Sequence, residues 1–188
     1  MNEPILTHRV DGPPHGDPLM LLNGGFMTMA SWEPCAAPLA EVLRVLRCDF
    51  RGQLLTPGPA HQELGPNADD VVALLDHLGL DSVHLLGTSF GGEIGLLLAA
   101  RYPERVRSLI VVAVSDYTTE AMTRGARKLR RIVEEILADG DRGRFHDVLV
   151  EEVYSREHVE ENRATLAERR EQIASLPESW FHALDDLL

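Results

Sequence analysis

Cysteine is nearly absent: Cys35 and Cys48 are the only two. They cannot build a disulfide framework, and neither has a Cys or His neighbour at zinc-ligand spacing. The expectation is two reduced thiols in a cytoplasmic protein that needs no metal and no cofactor. Basic charge is also short, with 18 Lys and Arg against 30 Asp and Glu and a formal net charge of -12. A surface that acidic repels phosphate backbones and anionic headgroups, so neither nucleic acid nor a membrane is an expected partner. No apolar run approaches the roughly 18 residues needed to span a bilayer. Residues 1–17 lack the basic stretch and apolar run of a secretory leader, so none is expected. What remains, 44% hydrophobic and 26% charged over 188 residues, suits one soluble domain with an inserted subdomain.

One composition shift organises the chain. Residues 1–115 hold 20 charged residues, whereas the shorter stretch 116–188 holds 28. The Gly and Pro punctuation between Gly12 and Pro66 thins after Asp116, and long charge-rich segments replace it. Residues 1–116 therefore read as a compact core and 117–188 as surface-facing helices.

Strand and helix signals alternate in the core. Ile5–Val10 is a strand candidate ended by the turn Asp11-Gly12-Pro13-Pro14, and Pro18–Leu22 is an apolar run stopped by Asn23-Gly24-Gly25. Trp32–Leu43 reads as a helix that Pro38 starts or kinks, and Val45–Phe50 as the next strand. Asn67 is placed to cap a helix over Ala68–Leu78, which Gly79 stops. Val83–Leu86 is an apolar strand, Ile94–Arg101 lies in a helix, and Leu109–Val114 is another strand. Continuous apolar strands alternating with helices predict a doubly wound, mostly parallel α/β sheet covered on both faces.

Gly87-Thr88-Ser89-Phe90-Gly91 lies between an apolar strand and an apolar helix. A chain reversing that sharply holds the serine in a strained turn with its oxygen exposed above the sheet. Flanking glycines are needed because side chains there would strike the neighbouring strand and helix. The helix starting at Phe90 directs its N-terminal amides to where negative charge would develop. Ser89 is thus a nucleophile candidate; a tight packing turn is the alternative.

With this motif in view, residues 18–116 resemble the α/β-hydrolase fold family, especially its small esterase, enol-lactonase and carbon–carbon-bond hydrolase branch. The resemblance rests on LLNGG at 21–25, VLRCDFRGQ at 45–53, the stretch 68–95 that contains Ser89, and RYPERVRSLIVV at 101–112. It implies that the loop after the Leu19–Leu22 strand lends the Gly25 amide to an oxyanion hole, with the Phe90 amide as second donor. It also implies that 117–188 form a helical cap. The family usually carries His-Gly where Asn23-Gly24 stands here, and small residues where Gln53-Leu54-Leu55 stands. After Val114 no strand is legible, so two further βα units of about 30 residues each are missing and the fold is expected to be truncated.

A triad of this family runs Ser, acid, His, with the last two after later strands. Asp116 is a candidate for the acid, with a cap-hinge or solvated carboxylate as the alternative. His146, His158 and His182 fall in the helical stretch, where packing and surface roles dominate, and His84 reads as a core histidine. Glu93 and the Arg124–Arg131 cluster read as solvated helix faces. Trp180 and Phe181 are expected to pack the helical part onto the core, and the resemblance equally allows them to line the pocket.

The activity expected is serine hydrolysis of a carboxylic ester, lactone or related small acyl substrate through an acyl-enzyme. A non-catalytic binding or partner module, and a cofactor-free lyase or peroxidase-type activity on the same scaffold, are the alternatives. An unblunted edge at Leu109–Val114 predicts self-association or pairing with the missing C-terminal portion.

Overall fold

The computed structural model describes residues 5–115 and 117–187. Strands β1 (His8–Asp11), β2 (Pro18–Leu22), β3 (Arg44–Cys48), β4 (Val83–Thr88) and β5 (Val106–Val112) form one sheet in the order β1-β3-β2-β4-β5. β2, β3, β4 and β5 pair in parallel, and only β1 runs antiparallel, against β3.

Side-chain alternation sorts the core onto two faces. Leu19, Leu21 and Val45 point to one side and cluster with Trp32 and Ala36, the latter on helix α1 (Glu33–Leu39). Met20, Leu22, Leu46, Cys48 and Leu85 point to the other. There they meet Val71, Leu74 and Leu75 of helix α2 (Leu64–His77) and Ile94 and Leu98 of helix α3 (Phe90–Arg101). Each such fully buried aliphatic side chain contributes about 1.5–3 kcal/mol relative to exposure. The two-faced burial is why β2 reads as a continuous apolar run, and it gives the layered α/β architecture that the sequence predicts.

Several boundaries differ from expectation. The first strand is the short His8–Asp11, held to β3 by buried Arg47, whose guanidinium bonds Asp11 and Glu33 at 2.5 and 2.6 Å. The helix expected over Trp32–Leu43 is a 3-10 turn (Met29–Trp32) followed by α1, which ends one residue after Pro38. α2 begins at Leu64, so Asn67 is no cap. It lies buried inside the helix, and its amide donates back to the His61 and Glu63 carbonyls at 3.1 and 2.8 Å. Gly79 does end this helix, at φ +65. β5 spans Val106–Val112 rather than Leu109–Val114, because Ala113 turns to φ 56 and breaks the extended run.

The chain divides into two compact units, one through Tyr117 and one from Thr118 to Asp186. The second is helical: α4 (Glu120–Asp139), α5 (Gly143–Val153), α6 (Arg156–Glu161), α7 (Arg163–Ala174) and α8 (Glu178–Leu187). Thr119 caps α4, its Oγ1 accepting from the Met122 amide, and Gly140 at φ 80 ends it. Ile132, Val133 and Ile136 form its buried face. Arg124, Arg130 and Arg131 pair with Glu120, Glu134 and Glu135 one turn away, as a solvated helix face should. Trp180 and Phe181 lie on α8. Their rings meet Phe145 edge to face at 5.6 and 6.0 Å, so they help build a core within the helical unit itself.

Candidate active site

β4 ends at Thr88 and α3 begins at Phe90, leaving Ser89 alone to reverse the chain at φ 48, ψ -123. A positive φ with that ψ is sparsely populated and costs an L residue about 1–3 kcal/mol. Backbone bonds hold it on both sides. The Ser89 amide donates to the Val112 carbonyl at 2.9 Å, and the Ser89 carbonyl accepts from the Gly92 and Glu93 amides at 2.8 and 3.0 Å. The side chain is exposed, and Oγ has no hydrogen-bond partner among the described residues.

The glycines around Ser89 are fixed by close approach. A Cβ on Gly91 would lie 2.3 Å from the Leu22 carbonyl oxygen and 2.5 Å from that of Asn23, and one on Gly87 would lie 2.5 Å from the Gly91 oxygen. The serine turn is therefore seated directly on the end of β2 and the loop that follows it. This contact brings the two segments singled out in the sequence together.

In that loop the Gly24 carbonyl accepts from the Met27 amide at 3.0 Å, closing a tight turn, and also from Gln53 Nε2 at 3.0 Å. The Gly25 N–H has no acceptor among the described residues, and a Cβ built on Gly25 would meet nothing within 4 Å. The Phe90 N–H, first in α3, likewise has no acceptor among the described residues. Two unpaired amides on adjoining segments are what a developing oxyanion can use.

Behind the loop lies a buried polar network that the sequence reading missed. Asp49 Oδ1 accepts from the Met29 amide at 2.6 Å and from Asn23 Nδ2 at 3.3 Å, and Oδ2 accepts from the Leu55 amide at 3.1 Å. Burial pushes the Asp49 carboxyl above the usual carboxylate range, and these hydrogen bonds only partly oppose it. Asn23 and Gln53, the two departures from the family pattern noted above, meet in this network at 2.9 Å. Their joint appearance was the available signal.

The remaining candidates lie elsewhere. Asp116 lies outside the described residues. His84 is not a closed core histidine: half-buried on β4, its Nδ1 is 2.7 Å from Ser108 Oγ. His146 is buried on α5, His158 stacks on Tyr154 at 4.6 Å, and His182 faces Glu178 at 3.6 Å. Glu93, expected to be solvated, is half-buried, and desolvation raises its carboxyl. Among the described residues no group of His, Cys, Asp and Glu is arranged to hold a metal ion, and no helix is long and apolar enough to cross a membrane.

Comparison with known proteins places this geometry in context. Residues 17–145 match the family model described as alpha/beta hydrolase fold. The 2-hydroxymuconate semialdehyde hydrolase of Pseudomonas sp. (strain CF600) is 37% identical over 52% of this chain and 36% of its own length. Epoxide hydrolase 4 of Mus musculus is 38% identical over 56% of this chain and 30% of its own length. The matched stretch thus spans well under half of either relative. Among solved structures, an alpha/beta hydrolase enzyme from a Medee basin deep-sea metagenome library superposes with a TM-score of 0.80. It is 20% identical, with 97% of this chain and 66% of that one covered.

Proposed function

Because the chain belongs to the alpha/beta hydrolase fold family, we propose that it carries the nucleophile half of a serine hydrolase for carboxylic esters, lactones or related small acyl substrates. The observation that supports this most is Ser89, strained at φ 48 with its side chain exposed beside two unpaired amides. In the proposed step Ser89 Oγ bonds to the substrate carbonyl carbon, and the displaced electron pair moves onto the carbonyl oxygen. The Gly25 and Phe90 amides donate to that oxyanion. The tetrahedral species then expels the alkoxide, which takes up the proton Ser89 gave to a general base, and water releases the acyl group by the same route. We assign the base and its carboxylate partner to residues outside the described set. The helical unit is proposed to act as a cap that selects the substrate, and the two free thiols agree with a cytoplasmic setting.

A fluorophosphonate probe tests the assignment, since it phosphonylates only an activated serine. With the base-bearing residues supplied, labelling is expected at Ser89 and to disappear in Ser89→Ala, whereas the 188-residue chain alone should label slowly. A chain that stays unlabelled with those residues supplied would favour a binding or partner module on the same scaffold.

We also propose that β5 takes up another strand. It is one of the two edges of the sheet, and Ile110 and Val112 on it are 55% and 50% exposed. An apolar, unprotected edge of that kind invites pairing with a further segment or a second copy. Size-exclusion chromatography with light scattering should give a mass above 20.9 kDa for the chain alone, and Ile110→Lys should lower it. A monodisperse monomer of the unaltered chain would contradict the proposal.

A further inference from the structure

We infer that Gln53, itself oriented by Asn23, is a positioning residue that sets the direction of the Gly25 N–H. The inference rests on the assignment of that amide to the oxyanion hole.

The orientation of each side-chain amide is dictated by partners that cannot exchange roles. The Trp32 indole can only donate, and its Nε1 lies 2.8 Å from Asn23 Oδ1. Asn23 Nδ2 must then be the donor, and it reaches the Cys48 carbonyl at 2.8 Å and Gln53 Oε1 at 2.9 Å. The Phe50 amide, also only a donor, lies 2.9 Å from the same Oε1. Gln53 therefore has Nε2 left to donate, and it does so to the Gly24 carbonyl at 3.0 Å.

A peptide unit is planar and trans, so its C=O and N–H point in opposite directions. The Gly24 oxygen is held by two donors, Gln53 Nε2 and the Met27 amide. Fixing that oxygen fixes the plane, and with it the Gly25 N–H on the other side. Glycine at both positions gives the plane no steric support of its own, so the hydrogen bonds decide its orientation. Asn23 and Gln53 are buried and carry no charge. The titratable group facing them is Asp49, whose Oδ1 lies 3.3 Å from Asn23 Nδ2; the Cys48 thiol packs in the apolar core instead. Asp49 does not touch Gln53 Nε2 or the Gly24 carbonyl.

Gln53→Glu turns this into a measurement. Protonated, the introduced carboxyl can still accept from Asn23 and Phe50 with one oxygen and donate to Gly24 with the other. Ionised, it sets two oxygens against each other and pushes the peptide plane away. Burial raises such a carboxyl, so the change should fall between about pH 5 and about pH 9. In 15N–1H spectra of the full chain, the Gly25 amide of Gln53→Glu should match wild type at the acid end and move as pH rises. The wild-type signal should stay in place. Gln53→Met keeps the shape without the donor, and should displace Gly25 at every pH. It should also slow fluorophosphonate labelling of Ser89 at least about tenfold.

Thermal unfolding of each variant checks that the fold is retained, and Gln53→Glu at acid pH serves if Gln53→Met does not fold. A Gly25 signal that does not titrate in Gln53→Glu overturns the inference. Loss of wild-type Ser89 labelling with Gly25 still titrating removes the hydrolase assignment and leaves the positioning role standing.

Discussion

Ser89→Ala is expected to lower any p-nitrophenyl ester turnover of the protein by about 10³-fold or more, with folding retained. The substitution removes one oxygen, and that oxygen bonds to nothing else among the described residues. The turn is held by backbone bonds to Val112, Gly92 and Glu93, which alanine keeps. Alanine also keeps the cost of φ 48, so stability should change little. Ser89→Gly should be equally inactive yet more stable by about 1 kcal/mol, because glycine adopts that φ without the Cβ clash. Loss of activity with a gain in stability separates a strained functional serine from a packing residue. Equal turnover in wild type and Ser89→Ala would remove Ser89 from the mechanism.

Gly91→Ala should be among the most damaging single methyl additions in the sheet unit. Its Cβ would sit 2.3 Å from the Leu22 oxygen and 2.5 Å from the Asn23 oxygen. Both are backbone atoms, so no side-chain rotation relieves the overlap. Either α3 moves off the sheet, or the end of β2 moves and takes the Gly24–Gly25 loop with it. The expected loss is about 3 kcal/mol or more, above the usual range for small-to-large changes in a packed site. Gly25→Ala is the matched control. Its Cβ would meet nothing within 4 Å, and urea unfolding should place it within about 0.5 kcal/mol of wild type. Similar midpoints for the two variants would mean that the serine turn is not seated on β2 as described.

The parts of the fold that were legible in the sequence are those where one force dominates. β2 is buried on both faces and β4 fully on one, so apolar runs announced them, and the glycines around Ser89 marked a turn that no other residue fits. Where forces compete, the reading slipped. Asn67 resembled a cap, but a buried amide facing two carbonyls is a donor, and α2 starts earlier. β5 was placed too late because Val106–Ser108 reads as polar, while only backbone geometry reveals the break at Ala113. At the candidate site, local pattern and family resemblance singled out Ser89, Gly25 and Phe90, which the fold brings onto adjoining segments. They could not single out the support behind Gly25, because Asn23 and Gln53 meet across 30 positions through a buried hydrogen bond that leaves no periodic trace.

Trapping the acyl-enzyme is the most direct test of the central claim. The protein would be mixed with an activated ester, quenched in acid within the first turnover, digested, and its peptides weighed. The prediction is one acyl group per chain, on the peptide containing Ser89, and none in Ser89→Ala. Acylation confined to the exposed Cys35 or to lysine, with Ser89 unmodified while ester is being consumed, would contradict it.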